Sequence, residues 1–263
     1  MTRVVRNAAA SALVLLTIFT LAAVLVLEAH AETAASDKRA VRIADQVMAS
    51  LGGKQRWDAL HYLKWNFEVS VNDTVRPGRR HTWDKYSGWH RVEGSNRAGQ
   101  PFRYVENLND STGRAWVNDK PIEGDSLKKL MRSAHAAWIN DSYWFLMPYK
   151  LRDPGVTLKY DGEVKDTTGS GATYDRLALS FENVGMTPGD HYWVYVNHAN
   201  HRVEKWEHLL QGAQPPPVPY TWEGWEDHGG MWFPTAHKGA RATIYTRAVE
   251  TPGQLKPKEF SAP

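Results

Sequence analysis

After Trp57 the chain is written in short runs rich in Trp, Tyr, Phe, Val and Thr, each closed by turn residues. This texture predicts strands near 61–71, 80–85, 88–93, 101–107 and 113–118. It predicts more near 156–161, 173–181, 191–197, 201–210, 219–227, 231–237 and 240–248. The punctuation is explicit: Arg76-Pro77-Gly78, Tyr86-Ser87-Gly88, Asn109-Asp110, Thr168-Gly169-Ser170-Gly171 and Asn197-His198-Ala199-Asn200. In the run 191–197, Tyr192, Val194 and Val196 face one side, and His191, Trp193 and Tyr195 the other. Both faces carry rings or branched chains, so something must cover each.

Two segments break the pattern with helical spacing. In 36–51, Val41, Ala44, Met48 and Leu51 form one stripe, Ser36 can cap the start, and Gly52-Gly53 ends it. In 124–147, Leu127, Leu130, Met131, Ala134 and Trp138 form another stripe, with Lys128, Lys129 and Arg132 off it. Asn140-Asp141 is expected to break this helix, with Asp141 or Ser142 capping a short second turn that Pro148 stops. The prolines at 215, 216, 217 and 219 read as a stiff loop between strands. The order predicts one mainly β domain with few helices: a single antiparallel sheet, curled to bury one face, with the helical stripes laid on it.

The N-terminus predicts the compartment. A basic start (Arg3, Arg6), an uncharged run over 8–27 and the small-x-small triplet Ala29-His30-Ala31 read as a secretory signal cleaved before Glu32, giving a periplasmic or secreted protein; an uncleaved inner-membrane anchor is the alternative. Cleavage takes the chain from 32 basic and 29 acidic side chains to 30 and 28, too balanced for a nucleic-acid binder. With no cysteine there is neither a lipid-attachment site nor a disulfide, so packing alone must hold an exported fold. Residues 32–250 form the expected domain, and 251–263, rich in Pro and Lys, a loosely ordered tail.

A leading helix ending in Gly-Gly, then Trp, strands, a mid-chain helix and more strands resembles the periplasmic lipoprotein carriers and sorting factors of the LolA/LolB type. The stretches 51–57, 138–151 with Asp153-Pro154-Gly155, and 184–190 are similar to exported bacterial proteins of that kind. The resemblance implies an unclosed half-barrel of about 11 strands with helices covering the concave face. It also implies a passive binding protein for a lipid, a lipoprotein acyl chain or another hydrophobic small molecule. Segment 124–147 would be the lid. Leu127, Met131, Trp138, Trp144, Phe145 and Met147 would line the trough, joined by Trp193 and Trp206 from the strands. The same rings could equally be core packing between lid and sheet. A monomer is expected, with an envelope protein as a further partner. Two other roles stay open: a periplasmic hydrolase, and a structural member of an envelope complex docking through a sheet edge.

Signals for chemistry are weak. Gly124-Asp125-Ser126-Leu127 resembles the GDSL motif of a hydrolase family, but it lies mid-chain, and Asp58-Ala59-Leu60-His61 precedes it; a helix N-cap explains the same residues. None of His191, His198, His201, His208, His228 and His237 has metal-ligand spacing, so no metal or other cofactor is expected. His228-Gly229-Gly230 reads as a turn. Trp222 and Trp225, beside Glu223, Glu226 and Asp227, are three apart and cannot form one sugar platform on a strand. Arg79-Arg80-His81 near Trp83, and Lys128, Lys129 and Arg132 on the lid, are candidates for a headgroup or phosphate, with a solvated face as an equal reading.

Overall fold

The structure, a computed structural model, describes residues 35–167, 170–182, 184–256 and 258–261. The expected signal segment and its cleavage point lie outside the described residues. The chain opens with α1 (Lys38–Ser50) and α2 (Lys54–Ala59). Strands β1 (Tyr62–Val71), β2 (Thr74–Val75), β3 (Arg79–Asp84), β4 (Trp89–Ser95), β5 (Pro101–Asn107), β6 (Gly113–Val117) and β7 (Lys120–Ile122) follow. Next come α3 (Gly124–Leu146) and a 3-10 turn, Met147–Tyr149. The second half holds β8 (Val156–Lys165), β9 (Thr173–Phe181), β10 (His191–Asn197), β11 (Val203–Leu209), β12 (Val218–Thr221), β13 (Glu226–Asp227), β14 (Trp232–Phe233), β15 (Ala236–Lys238) and β16 (Ala242–Glu250).

The strands are antiparallel and do not close into a barrel. Nine lie in one hydrogen-bonded sheet, ordered β15-β16-β1-β3-β4-β5-β6-β7, with β2 folded back on β1. Five form a second, β12-β11-β10-β9-β8, and β13-β14 is a separate hairpin. Backbone pairing of Glu223 with Ala236 joins the end of the second sheet to the start of the first. The expected sheet is thus divided where the backbone turns sharply: Gly224 has φ +66°, and it splits the expected strand 219–227 in two.

Three local expectations are corrected. Asp37, not Ser36, caps α1, accepting from the amides of Arg39 (2.6 Å) and Ala40 (3.2 Å); Ser36 Oγ instead accepts from the Leu158 amide on β8. Helix α2 follows Gly52-Gly53 at once, because Gly53 supplies a φ of +88° that reverses the chain between two helices. Helix α3 runs unbroken through Asn140 and Asp141 to Leu146. Asp141 does not cap a new turn, because its carboxylate is engaged by the sheet.

Gly52 shows how tightly the helical start is fitted. Its φ is +112°, and a Cβ there would lie 2.2 Å from the Gly230 carbonyl oxygen. The Leu51 carbonyl beside it accepts from the Trp232 amide (3.1 Å) and the Tyr149 hydroxyl (3.0 Å), tying α1 to the hairpin and to the end of the α3 segment.

The main core joins α1 (Ala40, Ala44, Val47), β1 (Leu63, Trp65), the end of α3 (Phe145, Leu146) and β8 to β11. A smaller cluster of Val92, Tyr104, Ala115 and Ala134 lies under the first half of α3, with Leu127, Leu130 and Met131 half-buried against it. The other face of β10 is covered by charged side chains and not by a further layer. The Arg176 guanidinium stands 5.4 Å from the Trp193 ring and 5.5 Å from Tyr195, and Lys205 Nζ lies 4.5 Å from Tyr195. The tail returns to the nine-stranded sheet: Lys64 pairs with Glu259 at 2.7 Å, and Arg91 donates to the Glu259 carbonyl. Among the described residues, no helix is long and apolar enough to cross a membrane.

Candidate functional site under the long helix

Helix α3 lies across both sheets, and its residues meet two aromatic groups. Trp138 packs on Trp83 (4.9 Å), Trp65 (6.1 Å) and His90 (4.9 Å) of the nine-stranded sheet. Trp144 packs on Trp206 (4.6 Å) and Tyr220 (4.8 Å) of the five-stranded sheet. Phe145 sits between them, stacked on Trp65 and Phe233 at 5.2 Å each. Met147 and Trp206 are buried in the same core. Leu127 and Met131 belong to the smaller cluster under the first half of the helix. Seven of the eight sequence-derived site residues therefore lie between α3 and the sheets. Trp193 does not: it faces away from Tyr192 and Val194, beneath Arg176, because strand parity turns it outward.

In this conformation the space under α3 is filled by these rings. Two openings lie elsewhere. One, of about 10 Å³, is beside Pro101, Phe102 and Trp116. The other is an open groove of about 280 Å³ lined by Asn66, Glu68, Gly78, Arg79, Arg80, Glu93 and Gly94. Two arginines and two glutamates line it, so it differs in character from the ring-filled interface under α3.

The filling is costly in one respect. The indole Nε1–H groups of Trp65, Trp83, Trp206 and Trp222 are buried without a hydrogen-bond partner. An indole nitrogen can only donate, and buried Trp usually finds an acceptor. Each unsatisfied donor costs about 1–3 kcal/mol.

Sequence reasoning missed a second feature of the same interface. Arg79 donates to both carboxylate oxygens of Asp141, at 2.6 and 2.7 Å. Asp141 Oδ2 meets His81 Nε2 at 2.9 Å; His81 Nδ1 meets His90 Nε2 at 3.0 Å; His90 Nδ1 meets Glu106 Oε1 at 3.0 Å. Glu106 Oε2 lies 3.4 Å from Nδ1 of His135, whose side chain is 46% exposed. His81, His90 and Asp141 are fully buried and Glu106 nearly so. Strand register assembles the chain: His90 is directly opposite Glu106 across β4–β5, and Trp65 is directly opposite His81 across β1–β3, stacked at 4.6 Å. Helix α3 supplies Asp141 at one end and His135 at the other. Burial would raise the Asp141 carboxyl, but its bonds to His81 and Arg79 overcome this and hold it below the usual carboxylate range. Burial dominates at His81 and pushes it down to about 4, against the pull of Asp141.

His237 is a third buried imidazole, walled by Trp222 (4.3 Å) and Trp144 (5.6 Å). Burial pushes it down to about 3, only partly opposed by the Thr221 backbone. Both His81 and His237 thus stay neutral when folded but take protons near pH 6.5 when unfolded. Their contribution is complete above that value and is lost as pH falls towards 4. Stability is expected to drop by on the order of 1 kcal/mol per pH unit for each group between pH 6.5 and 4. Urea midpoints over that range check it, and His237→Phe should make the decline shallower.

The hydrolase reading gains nothing from the geometry. Ser126 is exposed in the first turn of α3, whereas His61 is engaged with Asp84 at 3.2 Å and Asp58 with Lys54. Among the described residues, no cluster of three or more His, Asp or Glu has metal-binding geometry.

No protein-family model matches the chain, and no curated protein matches it. Solved structures do. A DUF1329 family protein from Desulfovibrio piger is similar at a TM-score of 0.50 and 10% identity, over 84% of this chain and 97% of that one. A LolA superfamily protein from Nitrosomonas europaea is similar at 0.44 and 11%, over 83% and 97%. At such identities the likeness speaks for the fold alone, a mainly β one whose large antiparallel sheet does not close into a barrel, as expected from the sequence.

Proposed function

We propose that this chain is an exported, non-enzymatic binding protein for an amphiphile, a lipid or lipoprotein acyl chain, taken up between α3 and the two sheets. The observation that carries the reading is the set of four buried indole donors without acceptors at Trp65, Trp83, Trp206 and Trp222, among the rings of the main core. Buried donors usually find acceptors, so four in one core call for an explanation. A ligand with a hydrocarbon body and carbonyl or ester oxygens fits both halves of that surface. Each methylene buried would contribute about 0.8 kcal/mol, and each oxygen placed on an indole N–H would remove an existing penalty.

Because rings fill the interface, uptake requires α3 to lift, with Trp138 and Trp144 moving off their partners. Leu127, Met131, Trp138, Trp144, Phe145, Met147 and Trp206 then line the site. The chemistry is passive: no bond is made or broken. Export to the periplasm rests on the N-terminal segment and is part of the same proposal.

Protein purified from its native envelope without detergent is expected to carry lipid into an organic extract, identifiable by mass spectrometry. Trp138→Glu, which puts a carboxylate against Trp65 and Trp83, is expected to weaken binding of a fluorescent fatty acid at least tenfold. Empty extracts together with unchanged fatty-acid binding by the variant would sink the carrier reading.

A further inference from the structure

We infer that the folded interior holds one exchangeable proton, shared at the His90–Glu106 end of the chain of groups between α3 and the nine-stranded sheet, and that docking of α3 is coupled to its uptake. Two independent counts lead there. The first is of hydrogen bonds. Three buried contacts run in single file, Asp141–His81, His81–His90 and His90–Glu106, at 2.9, 3.0 and 3.0 Å. Each needs one hydrogen, yet two neutral imidazoles bring only two, and a carboxylate brings none. With two, one contact would set lone pair against lone pair in a buried site.

The second count is of charge. Arg79 balances one carboxylate of the Asp141–Glu106 pair, and a third proton balances the other. Without it, the site would hold a net negative charge against the rings of Trp65 and Trp138.

Its place follows. Asp141 is ionised, held by Arg79, so His81 donates from Nε2 and accepts at Nδ1. His90 then donates from Nε2, and the third proton lies between His90 Nδ1 and Glu106 Oε1. The facing titratable and charged groups are Arg79 and His81 from β3, His90 from β4, Glu106 from β5, and His135 and Asp141 from α3, with Asn140 donating to Asp141 Oδ1. Strand β1 contributes Trp65 to the stack; its Glu68 and Glu93 of β4 line the groove beside Arg79, but Glu68 is paired with Arg247 and Glu93 with Arg91 and Arg103. His135, half exposed, is the contact with solvent.

Lifting α3 removes Asp141 from one end and His135 from the other, and opens Glu106 to water. Above the ordinary imidazole range the separated groups hold no extra proton, so the docked form binds one more. Rising pH therefore works against docking, by at most tenfold in the equilibrium constant per pH unit for one proton. Together with the acid-side loss at His81 and His237, this gives a stability maximum between the two.

Glu106→Gln is the decisive variant. The side-chain amide it introduces can donate to His90 Nδ1, so all three contacts are satisfied with only the two imidazole protons, and Arg79 alone balances Asp141. Between pH 7.5 and 8.5 the unfolding equilibrium constant of the unaltered protein, measured in urea, is expected to rise up to tenfold more than that of Glu106→Gln. Equal pH dependence of the two overturns the proposal. If the variant does not fold, proton NMR of the unaltered protein decides at pH 7.5. Three downfield labile protons in the His81, His90 and Glu106 network support the third proton, and two exclude it.

Discussion

Asp141→Ala is expected to cost this protein about 3 kcal/mol of stability, a fall in Tm of roughly 6–12 °C for a domain of this size. Asp141 is fully buried near the end of α3 and is held by two strong contacts, the paired bonds from Arg79 and the one from His81. Removing it leaves a guanidinium without its counter-charge and a buried imidazole nitrogen without its acceptor. Loss of one partner from a buried pair typically costs about 3–5 kcal/mol. The value belongs at the lower end because the Arg79 side chain is 36% exposed and can recover hydration. Alanine is also the better helix former, which returns a few tenths of a kcal/mol. Urea or thermal unfolding measures it. A loss below about 1 kcal/mol would mean that Arg79 and Asp141 do not hold α3 to the sheet.

Asp141 also marks where the sequence could be read and where it could not. The stripe of α3 was legible because its apolar spacing matches the helical period and its packing agrees with it; α1 was legible as a helix, but its buried face runs through Ala40, Ile43, Ala44 and Val47 and not through Val41 and Met48. The alternation in β10 was legible for the same reason: Tyr192, Val194 and Val196 are buried in turn. Asn140-Asp141 read as a break because, locally, a short polar pair favours a turn or cap. The residues that override this, Arg79 and His81, lie some 60 positions earlier. The strands could be named without their pairing, and only pairing sets His90 opposite Glu106 and His81 opposite Trp65. The same ignorance of faces put Trp193 among the site residues. Strands of two or three residues, β2 and β7, exist only through their neighbours, and α2 is hidden by the Gly-Gly that separates it from α1.

Phe145→Ala is expected to destabilise the protein by about 4 kcal/mol, whereas Leu127→Ala on the same helix should cost about 1 kcal/mol. Phe145 is fully buried and stacks on both Trp65 and Phe233, so its removal leaves a cavity that rings on two sides cannot collapse into. Leu127 is only half-buried against the small cluster of Val92, Tyr104 and Ala115, and water can refill its place. The contrast reflects a gradient along α3. Its last turns are fixed by Phe145, Leu146 and the buried Asp141, while its first turns carry Lys128, Lys129 and Arg132 in solvent. A helix held this way opens first by unwinding from its N-terminal end, while its last turns and the Met147–Tyr149 turn stay in place, the Tyr149 hydroxyl bonded to the Leu51 and Trp232 carbonyls. Native-state hydrogen exchange should therefore show amides of 128–135 exchanging at least tenfold faster than those of 141–146. Uniform protection along the helix would rule out a lid that lifts from that end. Trp138, the first large ring the opening would free, would then have no route off Trp65 and Trp83.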